Sequence, residues 1–441
     1  MTRFFLALFL GRIVYYIMRF FSQDATTLPG KIALIIDPSF IKKISKRIKN
    51  IIFVTGTNGK TTTNNLIFFL LKNKGYKVLG NLEGANLKSG IATCYIKNPK
   101  TFDFGTFEID EGIFPKILED LNPNIVVITN FFRDQLDRYG EIDITVNRIF
   151  KALEGKREIK LVLNGDDPFV ARFQDLPLEK IFYGIKEKVG SEDSDIKESI
   201  YCPKCGEKLN YDYFNYAQLG KYSCSCGFKN PEYEVYIKKV NITNSWSFSI
   251  IEKKKEISLS FKYPGIYNLY NALAGYTVGR ILGFSSEYLQ ENISNFSFFL
   301  GRFEKFIYKG IEKILILVKN PTGYNQVLDT IKSDPSEKIL VLILNDNIAD
   351  GRDVSWIWDV DFERLKDDES IREIYCSGKR GEDLLVRLKY AEIPLEKIKL
   401  VKSLRKAINL SLSFPYKVYI LPTYTALFKC RKLLLRVKNG A

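Results

Sequence analysis

The chain has 441 residues, 46% of them hydrophobic, and carries 66 Lys and Arg against 51 Asp and Glu, a formal charge of +15. That length and apolar content exclude intrinsic disorder and fibrous classes and predict two or three domains; the basic balance suits an acidic partner, whether a phosphorylated substrate, an anionic membrane face or nucleic acid. There is no histidine, which excludes an imidazole base and any Cys-His or Ser-His pair supplied by this polypeptide alone.

Taken in chain order, the first predicted element is Phe4 to Phe21. It is apolar, but Arg12 and Arg19 interrupt it and leave no run near the ~20 residues that a membrane span requires. The two arginines are seven apart and share one helical face opposite Phe, Leu and Tyr side chains, the pattern of an interfacial helix. An amphipathic helix packed on its own protein has the same periodicity, so both readings stay open. No A-x-A-like cleavage site follows, which weighs against a signal peptide. From Ile51 the pattern becomes a buried strand (Ile51 to Val54), a turn (Thr55 to Lys60) and a helix through Leu66 to Leu71, a βα unit. Apolar strands follow at 102–109, 125–129 and 159–163, which predicts a mostly parallel α/β sheet. After a cysteine-bearing insert, 242–262 alternates in the manner of a strand, and a helix begins near Tyr267-Asn268 and ends by Gly283. A second α/β set follows Gly301, with strands at 314–318, 339–344, 373–376, 399–401 and 418–421.

Of seven cysteines, Cys202, Cys205, Cys224 and Cys226 cluster, while Cys94, Cys376 and Cys430 are scattered. An odd total with one tight cluster argues for a metal site over a disulfide framework and for the reducing cytosol. Cys202-Pro203-Lys204-Cys205 and Cys224-Ser225-Cys226-Gly227 read as two knuckles suited to tetrahedral Zn²⁺; four thiolates leave no open position, so the ion staples the fold and takes no part in catalysis.

Gly56-Thr57-Asn58-Gly59-Lys60-Thr61-Thr62-Thr63 puts small residues where backbone N–H groups can cradle phosphates, a lysine to neutralise them and a threonine hydroxyl for Mg²⁺ at a helix N-terminus. ATP is the expected ligand. The spacing departs from the general phosphate loop, because Val54 stands where the first glycine would be.

That departure resembles the ATP loop of the Mur ligases, which form amide bonds through acyl phosphates. Other segments fall into the same order. Glu108-Ile109-Asp110-Glu111-Gly112 matches the family's Mg²⁺-binding glutamate at Glu108. Thr129-Asn130 to Asp134 and Asp137 resembles its T-N-x-x-x-D-H-L-D motif, and Asn164-Gly165-Asp166-Asp167-Pro168 its N-x-D-D-P. Tyr267-Asn268-x-x-Asn271-Ala272 resembles the helix start that holds adenine. Gly301-Arg302-Phe303-Glu304 resembles the G-R-x-E junction, and Lys319-Asn320-Pro321 the start of the last domain. The resemblance implies that Thr57, Asn58, Gly59, Lys60, Thr61, Thr62, Asn268, Arg302 and Asn320 bind the nucleotide, and that Thr61 and Glu108 hold Mg²⁺. Gln135 and Tyr267 stand where the family has histidine; a carboxylate already ionised at neutral pH attacks phosphate without a base, so activity does not require them.

The segment before the loop is too short for the domain that grips UDP in nucleotide-precursor Mur ligases. That shortness, the four-cysteine insert and the run Asn345-Asp346-x-x-Ala349-Asp350-Gly351-Arg352-Asp353-x-Ser355-Trp356-Ile357-Trp358-Asp359 together resemble the synthase subunits of lipid II isoglutaminyl synthases. The resemblance implies ATP-dependent amidation of the α-carboxylate of D-glutamate in the lipid II stem peptide, in peptidoglycan synthesis. It also implies a GatD-like class I glutamine amidotransferase subunit as the source of ammonia, with Asp353 completing that partner's Cys-His pair. The implied organisation is an N-terminal helix and linker (1–47), a Mur-ligase-like central ATPase domain with a zinc-ribbon insert (48–300, insert about 191–236) and a Rossmann-like α/β C-terminal domain (301–441). The protein is then cytoplasmic, with the inner face of the membrane as the place of any lipid contact. Two rivals are a folylpolyglutamate-synthase-like or Mur-type ligase that adds an amino acid, and a nucleic-acid-binding zinc-ribbon NTPase. No aromatic-basic RNA motif supports the second, so nucleic acid is not an expected partner.

Overall fold

The computed structural model describes residues 2–21, 25–132, 142–189, 201–242, 246–263, 265–297 and 303–439. They form two compact units that divide in sequence at residues 297 and 298.

In the first unit the strands are, in chain order, β1 (Ile48–Thr55), β2 (Val78–Gly80), β3 (Phe102–Glu108), β4 (Ile125–Ile128), β5 (Lys160–Asn164), β6 (Glu179–Ile185), β7 (Asn210–Tyr216), β8 (Leu219–Ser223), β9 (Val235–Ile242), β10 (Trp246–Glu252) and β11 (Lys255–Phe261). Among the described residues, nine of them make one sheet in the order β11-β10-β9-β6-β5-β4-β1-β3-β2. From β2 to β9 every pairing is parallel, while β9, β10 and β11 form an antiparallel meander. The continuous apolar runs belong to the parallel strands, covered on both faces, and the alternating run to the meander, as the two environments require. β9 starts at Val235 and pairs with β6, so the chain has rejoined the main sheet within the span assigned to the insert. Among the described residues β7 and β8 form a separate two-stranded sheet.

The helix Lys60–Asn73 follows β1 directly, and Ile266–Ile281 packs beside it. The first helix, Thr2–Phe20, buries a narrow stripe of Phe4, Ala7 and Gly11. Phe4 stacks on Phe40 with ring centres 4.9 Å apart, and the Arg47 guanidinium lies 5.2 Å from the Phe4 ring centre. Periodicity left two readings open for this helix; the structure gives it one packed stripe and an exposed remainder. None of the described helices is long and apolar enough to cross a membrane.

The second unit holds β12 (Phe303–Tyr308), β13 (Ile311–Ile316), β14 (Lys338–Ile343), β15 (Ile371–Ser377), β16 (Ile398–Leu400) and β17 (Lys417–Pro422). Their order is β12-β13-β17-β14-β15-β16, parallel except for the β12–β13 hairpin. Helices cover the faces, and β14 is buried at every position. This is a Rossmann-like open sheet.

One close approach sets how the N-terminal helices seat. Gly30, in the helix Leu28–Ile36, lies where an added Cβ would stand 1.9 Å from the Ser89 carbonyl oxygen and 2.7 Å from Thr93 Oγ1, which accepts the Gly30 N–H at 2.9 Å. Backbone cannot yield as a side-chain tip can. Gly30→Ala is therefore expected to cost roughly 1–3 kcal/mol through overpacking, read as a lowered midpoint in thermal or denaturant unfolding. An unchanged midpoint would show that the helix Lys88–Lys97, which carries Ser89 and Thr93, yields at no cost.

Candidate active site

Thr55 ends β1, Gly56 and Gly59 turn with φ of +116° and +82°, and the helix starts at Lys60. Only glycine takes such backbone at no steric cost, and both positions are also crowded. A Cβ on Gly56 would meet Thr129 Oγ1 at 2.4 Å, and one on Gly59 would meet Asn271 Oδ1 at 2.1 Å. The loop is held from its neighbours: Asn130 accepts the Thr57 N–H through its backbone oxygen and the Asn58 N–H through Oδ1, both at 2.8 Å. Thr129 Oγ1 donates to the Asn58 carbonyl at 2.8 Å.

Three of the expected residues converge at the helix start. Thr61 Oγ1 donates to Glu108 Oε2 at 2.5 Å. The Lys60 ammonium donates to the carbonyls of Gly56 and Thr57 and to the Glu111 carboxylate at 3.0 Å. Lys60, Thr61, Glu108 and Glu111 are all buried. Thr57, Thr62 and Asn268 are buried as well, and Asn58 is partly exposed. Asn271, which faces Gly59, receives a hydrogen bond from Thr63 Oγ1 at 3.2 Å, tying the Ile266–Ile281 helix to the one that follows the loop, and donates within its own helix to Asn268 Oδ1 at 3.4 Å. Thr61 and Glu108 together offer hard oxygen donors, the set that suits Mg²⁺.

Sequence reasoning missed several supporting residues. Glu111 lay in a quoted motif but was given no role. Asn81 clamps the Glu108 backbone on both sides, accepting its N–H at 2.8 Å and donating to its carbonyl at 2.7 Å, and Asn86 donates to Glu108 Oε1 at 3.3 Å. A lone asparagine in a loop carries no periodic signal, so these had none to find. Tyr216 and Gln218 were hidden in the insert: Asn58 donates to Tyr216 Oη at 3.2 Å, and Gln218 Nε2 donates to the Phe131 carbonyl at 2.7 Å.

The four clustered cysteines lie with all sulfurs within 4.8 Å of one another. Cys202 and Cys226 sulfurs are 3.7 Å apart, Cys205 and Cys224 sulfurs 3.5 Å. A tetrahedral zinc with ~2.3 Å bonds sets an edge of about 3.8 Å, so the sulfurs fit that ion. Both knuckles close on a left-handed glycine, Gly206 and Gly227. The Cys226 amide pulls the Cys224 thiol down to about 7. Among the described residues every cysteine is free of disulfide bonding.

The Asn164–Pro168 segment is a staple. Asp166 accepts from Tyr233 Oη, Tyr270 Oη and the Ile185 N–H at 2.6, 2.7 and 2.9 Å; Asp167 accepts from the Phe131 and Phe169 amides at 2.7 and 3.0 Å. Burial pushes the Asp166 carboxyl up to about 6 and that of Asp167 up to about 7. The Phe131 and Phe169 amides and the neighbouring Gln218 side chain oppose the shift of Asp167 without cancelling it.

In the second unit, Asn320 is buried and caps the helix Pro321–Lys332, accepting the Gly323 N–H at 2.9 Å. Asp353 is exposed, and its Oδ1 accepts the Ser355 N–H at 2.8 Å at the head of a short 3₁₀ turn. Asp350, three residues before it, is buried and bonded to Thr425. Arg302, Asp134, Gln135 and Asp137 lie outside the described residues.

Residues 54–279 match the Mur ligase middle domain and residues 317–427 the MurT ligase C-terminal domain. The chain is 39% identical over 437 residues to the lipid II isoglutaminyl synthase (glutamine-hydrolyzing) subunit MurT of Staphylococcus aureus (strain COL), covering 98% of each chain. It is 37% identical to the subunit of that name from Streptococcus pneumoniae (strain ATCC BAA-255 / R6), covering 97% of this chain and 96% of that one. Among solved structures it resembles a pseudomurein peptide ligase type C from Methanothermus fervidus, with a TM-score of 0.68 and 26% identity over 90% of this chain and 81% of that one.

The staple generates a pH prediction. A carboxyl whose folded pKa is raised stabilises the fold below its unfolded value near 4 and loses that contribution as pH rises through the folded value. The stability advantage of the native protein over Asp167→Asn should therefore shrink between pH 4 and 8. Paired denaturant melts across that range would measure it, and a difference that stays flat would mean that Asp167 titrates as an exposed aspartate.

Proposed function

Because the chain belongs to the family of MurT subunits of lipid II isoglutaminyl synthase, built on the Mur ligase fold, we propose that it is the ATP-consuming half of such a synthase. It amidates the α-carboxylate of D-glutamate in the lipid II stem peptide during peptidoglycan synthesis at the cytoplasmic face of the membrane. The observation that carries this reading is the buried meeting of Lys60, Thr61 and Glu108 at a glycine-turned helix start, in a chain related to those subunits along nearly its whole length.

The loop amides and Lys60 bind the ATP triphosphate, the ammonium exchanging part of its contact with Glu111 for phosphate oxygens. Asn268, in the first turn of the helix Ile266–Ile281, holds the adenine side; Arg302 and Asn320 are carried over as nucleotide-binding residues from the family resemblance alone. The substrate carboxylate attacks the γ-phosphorus, the bond to the β-phosphate oxygen breaks, and ADP leaves an acyl phosphate. Ammonia then attacks the acyl carbon, the C–O bond to phosphate breaks, one nitrogen proton passes to the departing phosphate, and amide and inorganic phosphate remain. A magnesium ion held by Thr61 and Glu108 would offset the charge between triphosphate and incoming carboxylate. Neither step needs an imidazole. Releasing ammonia from glutamine does need a Cys-His pair, which this chain lacks, so the nitrogen comes from a GatD-like class I glutamine amidotransferase subunit. Asp353, exposed on its turn, orients that partner's histidine.

One experiment separates these roles. Lys60→Ala and Glu108→Ala should each lower amidation by at least 10²-fold with glutamine or with ammonium, because both act on the triphosphate. Asp353→Asn should lose glutamine-driven amidation and keep ammonium-driven amidation nearly unchanged, since free ammonia bypasses the glutaminase. Equal loss with both nitrogen sources in a folded Asp353→Asn complex would remove that residue's assigned role; full ammonium-dependent turnover by Lys60→Ala would overturn the ATP site.

The cysteine cluster would hold a structural zinc that fastens the two knuckles and supplies no reaction chemistry. Freshly purified protein should contain about one zinc per chain, and chelation should lower its unfolding midpoint. Metal-free protein with an unchanged midpoint would contradict this.

A further inference from the structure

The first helix leaves most of its apolar surface uncovered. Phe4, Ala7 and Gly11 are buried, but Phe5, Leu6, Phe9, Ile13, Ile17 and Phe20 are exposed, Phe9 by 63% and Phe20 by 84%. At 3.6 residues per turn these six fall within an arc of about 120°, a continuous stripe of large side chains. Scattered apolar residues on a surface are ordinary, whereas a stripe of this kind marks an interaction face. Ile35, in the next helix, adds a further side chain with 79% exposure.

The charges around the stripe say what covers it. Arg12 and Arg19 line one border and Arg3 the other, and the helix has no acidic residue. The sequence pattern set the arginines opposite the apolar residues; the observed burial makes them the edge between the packed stripe and the exposed one. Their stems can lie along apolar surface while the guanidinium groups reach outward. Residues 1–50 contain nine Lys and Arg against two Asp and Glu, so this end of the chain carries +7. A second copy would bring the same positive charge against itself. We propose that this face docks on an anionic lipid bilayer, the helix lying in the plane of the interface with its exposed stripe among the acyl chains and its bordering arginines among the headgroups. This goes beyond the amidation reading and does not depend on the nucleotide site.

The test uses the full-length chain, without nucleotide or substrate, and sedimentation with phosphatidylcholine vesicles that contain either no charged lipid or about one-third phosphatidylglycerol. The native chain should sediment with the anionic vesicles and bind at least tenfold less to neutral ones or in high salt. Phe9→Glu/Ile17→Glu should bind at least tenfold less at an unchanged melting temperature, because both side chains are exposed. Arg12→Gln/Arg19→Gln should weaken binding severalfold while leaving the stripe intact. Native protein that stays in the supernatant, or vesicle binding unaffected by the glutamates, would overturn the proposal. So would a native dimer that the Phe9→Glu/Ile17→Glu variant dissociates, since a second copy would then cover the face. Vesicle binding by a folded chain that forms no amide when given ATP, magnesium, ammonium and the lipid-linked substrate would reject the enzymatic reading and leave the docking face standing.

Discussion

The site depends on the register of one parallel strand pair. β1 and β3 align with Val54 opposite Glu108, so the strand end that releases the chain into the phosphate loop lies beside the strand end that presents the carboxylate. On its other side, β1 pairs with β4 through Thr55 and Ile128, which places Thr129 and Asn130 against the same loop. Side chains alternate along a strand, so a slip by one residue would turn Glu108 to the opposite face of the sheet. The buried apolar residues of these three strands fix that register, and the chemistry at their ends follows from it.

This explains what could be read from sequence and what could not. A phosphate loop declares itself because strand, glycine turn, lysine and hydroxyl are contiguous, and Glu108 because it ends an apolar run. Lys60–Glu111 and Asn81–Glu108 are contacts made across the sheet or between loops, with no local pattern of their own. Tyr216 was still less visible, since the insert reads as a metal knuckle and nothing in its spacing indicates that its hairpin reaches Asn58. The strands at Val78–Gly80 and Glu179–Ile185 were passed over for a related reason. The first is only three residues long, and the second opens on Glu179-Lys180 and is broken by Gly184, which leaves no clean apolar run. The antiparallel meander was legible as alternation, yet only pairing could show that it extends the main sheet.

The insert is joined to the nucleotide loop as well as to its own cysteines. Its hairpin touches Asn58 through Tyr216 and Phe131 through Gln218, and Tyr222 Oη donates to the Gly165 carbonyl at 3.0 Å. Asp166 and Asp167 anchor the same neighbourhood through the tyrosines and amides they accept from. The cysteine knuckles thus stand at one end of a scaffold whose other end borders the phosphate loop.

The absence of histidine then takes a physical form. Positioning around the loop falls largely to asparagine: Asn130 accepts two loop amides, Asn81 clamps Glu108, Asn86 reaches its carboxylate, and Asn271 meets both Gly59 and Thr63. An amide offers a donor and an acceptor on one short side chain and keeps both at every physiological pH, whereas an imidazole changes its donor set near neutrality. A loop held by amides therefore keeps the same contacts while the buried Asp166 and Asp167 carboxyls titrate nearby. Acyl phosphate formation uses a carboxylate that is already ionised and a lysine that is paired with Glu111. Titrating imidazole chemistry is needed only to cut ammonia from glutamine, and that step can reside on another polypeptide without any change to this site.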